Sequence, residues 1–194
     1  MNLALIFAGG TGTRMNSKTK PKQFLELNGK PIIIHTIELF ESHPEIDAIA
    51  VVCLESWIGY LNELLERFRI KKVKYVVPGG ETGQQSIRNG LTAFWDDQDI
   101  PRDSLVLIHD GVRPLINEDI ITRSIECAKQ YGNAITVTPA IETIITVSED
   151  DSVDQIMDRS KCRMARAPQT FRLCDIVEAH NKAVSYTHLR AHET

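Results

Sequence analysis

Short apolar runs of strand length alternate along this chain with longer segments of helical period. The runs occupy residues 3–7, 48–54, 73–77, 105–108 and 134–137. Continuous apolar runs of this length are typical of strands that are buried on both faces of a parallel sheet. The segments between them repeat apolar residues at the spacing of an amphipathic helix. This alternation predicts βαβ units, and therefore a three-layer α/β/α fold with a mainly parallel sheet.

The helices are assigned from their apolar stripes. Residues 57–68, 87–95 and 121–128 each keep large apolar side chains on one helical face. Pro31 opens another helix at a position where its missing N–H costs nothing, and residues 173–184 form the last one. We expect these helices to cover both faces of the sheet.

Two segments break the alternation. In 139–160, the β-prone residues 143–147 and 153–157 flank a polar turn, which predicts a hairpin arm. Because an isolated hairpin is marginal in water, we expect the arm to pack on something else, such as a second subunit. Residues 185–194 resemble a translated sequencing-adaptor remnant and are interpreted as a non-native tail, which leaves one domain at 1–184.

Composition excludes several classes of protein. With 194 residues, 42% of them apolar, and a net charge of −4, the chain is neither disordered nor strongly charged. The mild acidity argues against a nucleic-acid-binding protein, and no uncharged stretch is long enough to cross a membrane. The N-terminus lacks the basic segment of a signal peptide. Four scattered cysteines without a Cys-x-x-Cys pair fit the reducing cytoplasm and not a zinc site.

A glycine-rich loop directly follows the first predicted strand. Gly9, Gly10 and Gly12 let the backbone approach a ligand closely and turn N–H groups toward an anion. The loop lacks the Gly-Lys-Ser/Thr ending of a P-loop and the last small residue of the dinucleotide fingerprint. It offers two cations instead, Arg14 and Lys22, which suit a triphosphate. A glycine turn with solvated surface cations is the alternative interpretation.

Two further loops follow predicted strands, where ligands bind in open α/β sheets. Asp110, before Gly111, can hold Mg²⁺ through one carboxylate, or it can simply cap the next turn. Gly79 and Gly80 follow another strand, and Ser86 lies early in the next helix. The Ser86 hydroxyl can read the edge of a base, or it can merely belong to the first turns of the helix.

Taken together, these loops resemble the cytidylyltransferases that activate polyol phosphates. These are the methylerythritol-4-phosphate enzymes of isoprenoid synthesis and the ribitol-5-phosphate enzymes of teichoic-acid and capsule synthesis. The matching stretches follow the family order up to about residue 184: 8–15, 21–23, 79–81, Ser86, 109–114, Thr143, 158–159 and 168–171. The resemblance implies a nucleotide-diphospho-sugar transferase-like fold whose β-arm, 139–160, clasps a partner in a homodimer.

The resemblance also implies roles for individual residues. Arg14 and Lys22 match the stabilisers of the transition state. Thr143 and Arg159, reaching across from the neighbouring subunit, match contacts to the polyol phosphate, and Arg159 is grouped with the catalytic residues. Asp110 matches the residue near the ribose, the acceptor and Mg²⁺. The contacts to CTP match Phe7, Ala8, Gly9, Gly10, Gly12, Gly79, Gly80, Ser86, Asp110 and Gly111.

The chemistry of such a reaction agrees with the residues available. A phosphate monoester has a second pKa of about 6, so the attacking oxygen is already ionised and needs no general base. The difficulty lies in bringing two polyanions together, which calls for cations and a metal ion. We therefore predict in-line attack on the α-phosphorus of CTP, with pyrophosphate leaving on Mg²⁺. Loss of Arg14 or Lys22 is expected to cost about 3 kcal/mol of transition-state stabilisation.

The first loop indicates which acceptor the chain uses, and the chain departs from the family pattern at two places. The Ala-Gly-Gly form of the first loop favours ribitol 5-phosphate over methylerythritol 4-phosphate. Gly83 stands where both groups commonly carry an arginine, a contact that is either missing or supplied by Arg88. Family members run several tens of residues beyond 184 and carry there a lysine that positions the polyol phosphate. We therefore expect a truncated chain that is inactive and less stable than a full-length relative.

Two other functions fit parts of the pattern. A doubly wound sheet also suits an NAD(P)-dependent oxidoreductase, although the failed dinucleotide fingerprint counts against it. A nucleotide-binding or dimerisation module without catalytic activity is the other alternative. The presence of Arg14, Lys22 and Asp110 at separate strand ends counts against that module.

Overall fold

The structure, a computed structural model, describes residues 1–9 and 20–191, with side chains up to residue 183. The strands are β1 (Asn2–Ala8), β2 (Glu26–Leu27), β3 (Lys30–Pro31), β4 (Ala48–Cys53), β5 (Val73–Pro78), β6 (Leu105–Asp110), β7 (Asn133–Pro139), β8 (Ile145–Val147), β9 (Val153–Ile156) and β10 (Arg163–Arg172). The helices are α1 (Ile32–Ser42), α2 (Ile58–Arg67), α3 (Gly83–Asp96), α4 (Glu118–Tyr131) and α5 (Leu173–Ala191). None of these described helices is long and apolar enough to span a bilayer.

The central sheet has six strands in the order β5-β4-β1-β6-β10-β7. Strands β5, β4, β1 and β6 are parallel, and β10 runs antiparallel to both β6 and β7. Strand β7 therefore points the same way as β6, and only β10 is reversed. The predicted α/β fold with a mainly parallel sheet is confirmed.

Two hydrophobic cores lie on opposite faces of this sheet. Alternate residues of β1 serve the two cores, because successive side chains of a strand point to opposite faces: Ala4 and Ile6 join one core, and Leu3 and Leu5 join the other. The first core is covered by α1, α2 and α4, and the second by α3 and α5. The three layers predicted from the helical stripes are thus present.

The structure corrects the sequence analysis at the sheet edges. The runs 73–77 and 134–137 belong to the edge strands β5 and β7, which are largely half-buried or exposed and not buried on both faces. Strand β10 was not predicted, and it separates β7 from β6. Its sequence contains arginines and a proline, so neither an apolar run nor a regular alternation marks it as a strand.

The segment predicted as an arm forms a hairpin in the structure. Strands β8 and β9 pair antiparallel in a small sheet of their own, with Ile145 opposite Ile156. Both side chains are exposed, as are Val147 and Val153. The partner that would cover them stays a prediction. Helix α5 continues to Ala191, past the predicted domain boundary at 184, and the non-native nature of 185–194 also stays a prediction.

Helix α3 approaches the sheet most closely at Gly90. A Cβ atom added there would lie 2.5 Å from Leu5 Cδ1 and 2.8 Å from Val52 Cγ2. Both neighbours are fully buried, so the helix would have to move away from the sheet. Overpacking of this kind costs about 1–3 kcal/mol.

We therefore expect Gly90→Ala to lower the free energy of unfolding by about 1–3 kcal/mol, measured by urea denaturation. Gly59→Ala is the matched control, since Gly59 is an exposed position of α2 with no atom within 4 Å of an added Cβ. That variant should gain up to about 1 kcal/mol from the better helix propensity of alanine. Equal effects of the two substitutions would contradict the close approach.

Candidate active site

A cavity of about 510 Å³ lies beyond the carboxyl ends of β1, β4, β5 and β6. The chain passes from β1 to β4 on one side, and β6 flanks β1 on the other, so this is the point where the strand order reverses. Open α/β sheets bind ligands at such a point. The cavity is lined by Phe7, Ala8, Gly9, Lys22, Gln23, Leu54, Gly80, Glu81, Thr82, Gly83, Ser86, Asp110 and Val112.

Glycines bring the loops after β1 and β5 into contact across the end of β4. A Cβ atom on Gly9 would lie 3.3 Å from Gly79 Cα, and one on Gly79 would lie 3.2 Å from Gly9 Cα. The Gly79 N–H donates to the carbonyl oxygen of Cys53, the last residue of β4, at 2.8 Å. Only residues without side chains allow this approach, which leaves backbone exposed at one end of the cavity.

Ser86 lies behind this glycine pair. It is 3% exposed, and its Oγ accepts a hydrogen bond from the Gly80 N–H at 3.0 Å. Helix α3 fixes its position, because the Thr82 side chain caps the helix by accepting from the Gln85 N–H. Among the described residues, the Ser86 hydroxyl accepts a hydrogen bond but donates none, so its proton can be donated to a ligand.

Lys22 enters the cavity from a short 3-10 helix, Lys22–Phe24. The next two residues anchor this turn: the buried Gln23 donates Nε2–H to the Ala8 carbonyl oxygen at 2.7 Å, and the Phe24 ring stacks on Trp57 at 4.8 Å. Within residues 1–9 and 20–191, no carboxylate forms an ion pair with Lys22. Its charge is therefore held next to the β1 loop and is available to an anion.

Asp110 lies at the opposite side of the cavity, at the end of β6. Its Oδ2 accepts from Arg113 Nε at 2.6 Å. His109 holds the turn between them, since its Nε2 is 3.0 Å from the Arg113 carbonyl oxygen and therefore carries the proton. Burial lowers the pKa of His109, which favours the neutral ring. His109 is thus a packed strand-end residue that shapes the turn.

The turn after β6 is also tied to β1 and α1. The Gly111 N–H donates to the Phe7 carbonyl oxygen at 3.0 Å, and Thr36 Oγ1 donates to the Gly111 carbonyl oxygen at 3.1 Å. A Cβ on Gly111 would lie 2.9 Å from Ala8 Cβ, so this position has no room for a side chain. These contacts fix Asp110 relative to the β1 loop.

A smaller recess of about 200 Å³ adjoins the cavity, with Phe7 and Asp110 lining both. Its other lining residues are Ile87, Ile108, Arg113, Ala165, Arg166, Ala167 and Gln169. Two arginines, Arg113 and Arg166, thus line the recess together with Asp110. The sequence analysis did not identify this recess.

Residues 2–193 match the family model IspD, 2-C-methyl-D-erythritol 4-phosphate cytidylyltransferase. The chain belongs to the IspD family. The family resemblance inferred from the loops is therefore confirmed.

Several curated IspD-family relatives are highly similar over most of their length. The chain is 57% identical to the ribitol-5-phosphate cytidylyltransferase of Vibrio parahaemolyticus, over 94% of this chain and 76% of the relative. A Streptococcus agalactiae ribitol-5-phosphate cytidylyltransferase is 51% identical, over 95% and 76%. The 2-C-methyl-D-erythritol 4-phosphate cytidylyltransferase of Clostridium acetobutylicum is 40% identical, over 94% and 77%.

Solved structures of the family share the fold. The Francisella tularensis 2-C-methyl-D-erythritol 4-phosphate cytidylyltransferase superposes with a TM-score of 0.76 at 27% identity, over 98% of this chain and 82% of that one. The 4-diphosphocytidyl-2C-methyl-D-erythritol synthase of Anaerococcus prevotii gives 0.79 at 24% identity, over 94% and 74%. The second likeness bears on the fold alone.

The IspD-family site residues expected from the sequence divide into three groups. One cavity brings together Phe7, Ala8, Gly9, Lys22, Gly80, Ser86 and Asp110, with Gly79 and Gly111 in its supporting backbone. Thr143 and Arg159 are exposed near the hairpin and do not line the cavity of their own chain. Gly10, Gly12 and Arg14 lie outside the described residues. The predicted chemical roles of all these residues stay predictions.

One suggestion about the IspD pattern is corrected. Arg88 does not line the cavity and faces α5 instead, in a cleft with Trp95 and His180. Its place in the middle of α3 turns it away from Ser86, so it does not replace an arginine at position 83. Gly83 itself lines the cavity and has open space around an added Cβ.

The sequence placed Gln23 in the matching stretch 21–23 without indicating its role, and it did not single out Thr36 as a support of the IspD site. Both are polar residues that are buried through bonds to backbone carbonyl groups of the two site loops. The sequence signal for Gln23 was a polar residue directly before an aromatic one, Phe24. For Thr36 it was a polar residue within the apolar stripe of a helix. Such signals are common among residues of no functional importance.

Proposed function

We propose that this protein transfers CMP from CTP to ribitol 5-phosphate, which gives CDP-ribitol and pyrophosphate. The observation that carries the proposal is the meeting of the Gly9–Gly79 contact, Ser86, Lys22 and Asp110 in one cavity of an IspD-family chain. The higher identity to ribitol-5-phosphate enzymes, 57% and 51% against 40%, supports ribitol 5-phosphate over methylerythritol 4-phosphate.

CTP would lie across the cavity from Ser86 toward Lys22. The Ser86 hydroxyl and the backbone around Gly79 and Gly80 offer hydrogen bonds to the cytosine. Lys22, with Arg14 of the first loop, places positive charge where the triphosphate lies. This division keeps base recognition on the rigid α3 end and charge stabilisation on the β1 side.

Asp110 fits a magnesium site. It is a hard oxygen ligand, its side chain is 27% exposed, and its Oδ1 is left open by the bond from Arg113 to Oδ2. A single carboxylate is enough for Mg²⁺, which often takes one or two and lets phosphates complete its shell. Neutralisation of the leaving pyrophosphate is the chemistry that the ion supplies when bound.

The transfer itself needs no protein base. An ionised oxygen of ribitol 5-phosphate attacks the α-phosphorus of CTP, and the bond from that phosphorus to the pyrophosphate oxygen breaks. Lys22 stabilises the charge on the phosphates as it redistributes, because its ammonium group is already in place. The residues position two anions against each other and supply the charge that allows their approach.

The β8–β9 hairpin is proposed as the contact of a homodimer. Ile145, Val147, Val153 and Ile156 form an exposed apolar surface of the kind that marks protein interfaces. Residues 139–160 would then carry Thr143 and Arg159 to the partner's cavity. We place the reaction in the cytoplasm, in line with the free cysteines.

The test measures pyrophosphate release with CTP and Mg²⁺ and either polyol phosphate. It uses the 194-residue chain and, in parallel, the same chain continued after residue 184 with the corresponding end of the V. parahaemolyticus relative, called here the extended protein. We expect the extended protein to turn over ribitol 5-phosphate with kcat/KM at least about tenfold above methylerythritol 4-phosphate.

Each other outcome points elsewhere. A preference for methylerythritol 4-phosphate would change the proposed acceptor but leave the proposed cytidylyl transfer in place. Binding of NAD(P) without any pyrophosphate release would favour the oxidoreductase. CTP binding with no turnover of either acceptor by the extended protein would favour a nucleotide-binding module.

A further inference from the structure

The recess beside Asp110 exists because β10 is irregular where it passes the end of β6. Pairing with β6 begins at Gln169, opposite Ile108, and the register of β10 shifts between Ala165 and Gln169. Arg166 therefore falls beyond the paired part of β6, alongside the Asp110 turn. A bulge that re-aims a side chain next to a site is a known use of such irregularities.

The two arginines of the recess differ in charge balance. Arg113 is neutralised by Asp110 at 2.6 Å. Arg166 is exposed, and no carboxylate in the described part of the chain forms an ion pair with it. The recess therefore carries a net positive charge that comes from Arg166.

This charge belongs to the recess and not to the main cavity. Lys22 lines the cavity but not the recess, Arg166 lines the recess but not the cavity, and Asp110 lines both. A second anion that approaches a nucleotide held by Lys22 and Ser86 can thus meet Arg166 in the recess that Asp110 also lines. A guanidinium binds a phosphate monoester dianion through two parallel hydrogen bonds, which fix its orientation as well as its position.

From this we infer that Arg166 binds the phosphate group of the acceptor polyol phosphate in the recess beside Asp110. The inference rests on the proposed function for the identity of the acceptor. It assigns to Arg166 a substrate contact from within the same chain, in addition to those expected from Thr143 and Arg159 of a neighbouring subunit. The phosphate oxygen that attacks CTP would be oriented by Arg166.

The test compares Arg166→Gln with Arg172→Gln. Arg172 is the matched control, because it is an exposed arginine of the same strand that lines neither the cavity nor the recess. It pairs with Leu105, the first residue of β6, and therefore lies at the opposite end of the strand from Arg166. Ribitol 5-phosphate binding to the 194-residue chain is measured by calorimetry in the presence of a non-hydrolysable CTP analogue. The kinetic constants of the extended protein are measured in parallel.

We expect Arg166→Gln to raise Kd and KM for ribitol 5-phosphate about tenfold or more, with CTP affinity changed less than about twofold. Arg166→Lys should give Kd and KM values between those of the parent and Arg166→Gln, since lysine keeps the positive charge but cannot form the two parallel hydrogen bonds of a guanidinium. Arg172→Gln should change neither constant. Unchanged Kd and KM for ribitol 5-phosphate in Arg166→Gln, with normal turnover, would overturn the inference and leave the proposed function intact.

The two proposals fail in different ways. Arg166-dependent binding of ribitol 5-phosphate without turnover by the extended protein would remove the proposed function and keep the anion site. Binding of ribitol 5-phosphate that does not depend on Arg166 would contradict the anion site at Arg166, whether or not the extended protein turns over. An equal loss of CTP affinity in Arg166→Gln would also contradict the inference, because it would place Arg166 on the nucleotide.

Discussion

Lys22→Met in the extended protein is expected to lower kcat about 100-fold or more. Lys22 lines the cavity, has no ion-pair partner among the described residues and lies in the turn that Gln23 and Phe24 anchor. Removal of a preorganised charge of this kind costs about 3 kcal/mol of transition-state stabilisation, which corresponds to a factor of about 100 or more in rate. The measurement is steady-state pyrophosphate release at saturating CTP and ribitol 5-phosphate.

Lys71→Met provides the matched control for this loss. Lys71 is an exposed lysine in the loop between α2 and β5 and does not line the cavity. It should keep the parental kcat. Both variants should unfold at the parental urea concentration, because neither side chain supports the core. A kcat for Lys22→Met within about threefold of the parent would remove Lys22 from the mechanism.

Arg159→Ala is expected to lower turnover strongly although Arg159 lies outside the cavity of its own chain. The guanidinium group is exposed, and within the chain it donates only to the Ile141 carbonyl oxygen, at 3.2 Å, among the bonds of the described residues. If the hairpin carries it to a partner's cavity, its loss removes a charge from the acceptor side. A fall in kcat/KM of about 100-fold is then expected.

Mixing two inactive variants tests this arrangement directly. Each site of the proposed dimer takes Lys22 from one chain and Arg159 from the other. When Lys22→Met and Arg159→Ala proteins exchange subunits, about half of the dimers are mixed, and each mixed dimer has one intact site. Activity should therefore return to about a quarter of the parental value.

Mixing Arg159→Ala with Lys22→Met/Arg159→Ala is the control, since no pairing then restores a complete site. Inactivity of both mixtures, in samples that sedimentation shows to be exchanging dimers, would place Arg159 outside the partner's site. A monomeric parent with full activity would exclude the shared site altogether.

The strands of the sheet were predictable where burial alone fixes their sequence. Strands β1, β4 and β6 are nearly continuous apolar runs because helices cover both of their faces. Strand β10 was not predictable, since only Pro168 and Thr170 are buried among its ten residues. Its place in the sheet follows from backbone pairing with β6 and β7, and the side-chain pattern of the sequence does not indicate this pairing.

The candidate site was also predictable only in part. The sequence predicted that the loops after β1, β5 and β6 would meet, because parallel strands end at one edge of a sheet. It could not predict that Gly9 touches Gly79, that Gln23 bonds to Ala8, or that Arg166 borders the recess. These contacts depend on loop paths and on a bulge in β10, and both are set by tertiary packing.

The reversed direction of β10 separates the chain into two functional stretches. Because β7 ends and β10 begins at the same edge of the sheet, everything between them forms one excursion that leaves and re-enters the fold at the site. The groups proposed for the nucleotide come from residues up to 111. Three residues proposed for the acceptor phosphate, Thr143, Arg159 and Arg166, come from this excursion and the strand that ends it. On this assignment, substitutions in one contiguous stretch can change three of the acceptor contacts while the nucleotide half stays constant. Such modularity suits a family whose named members use two different polyol phosphates.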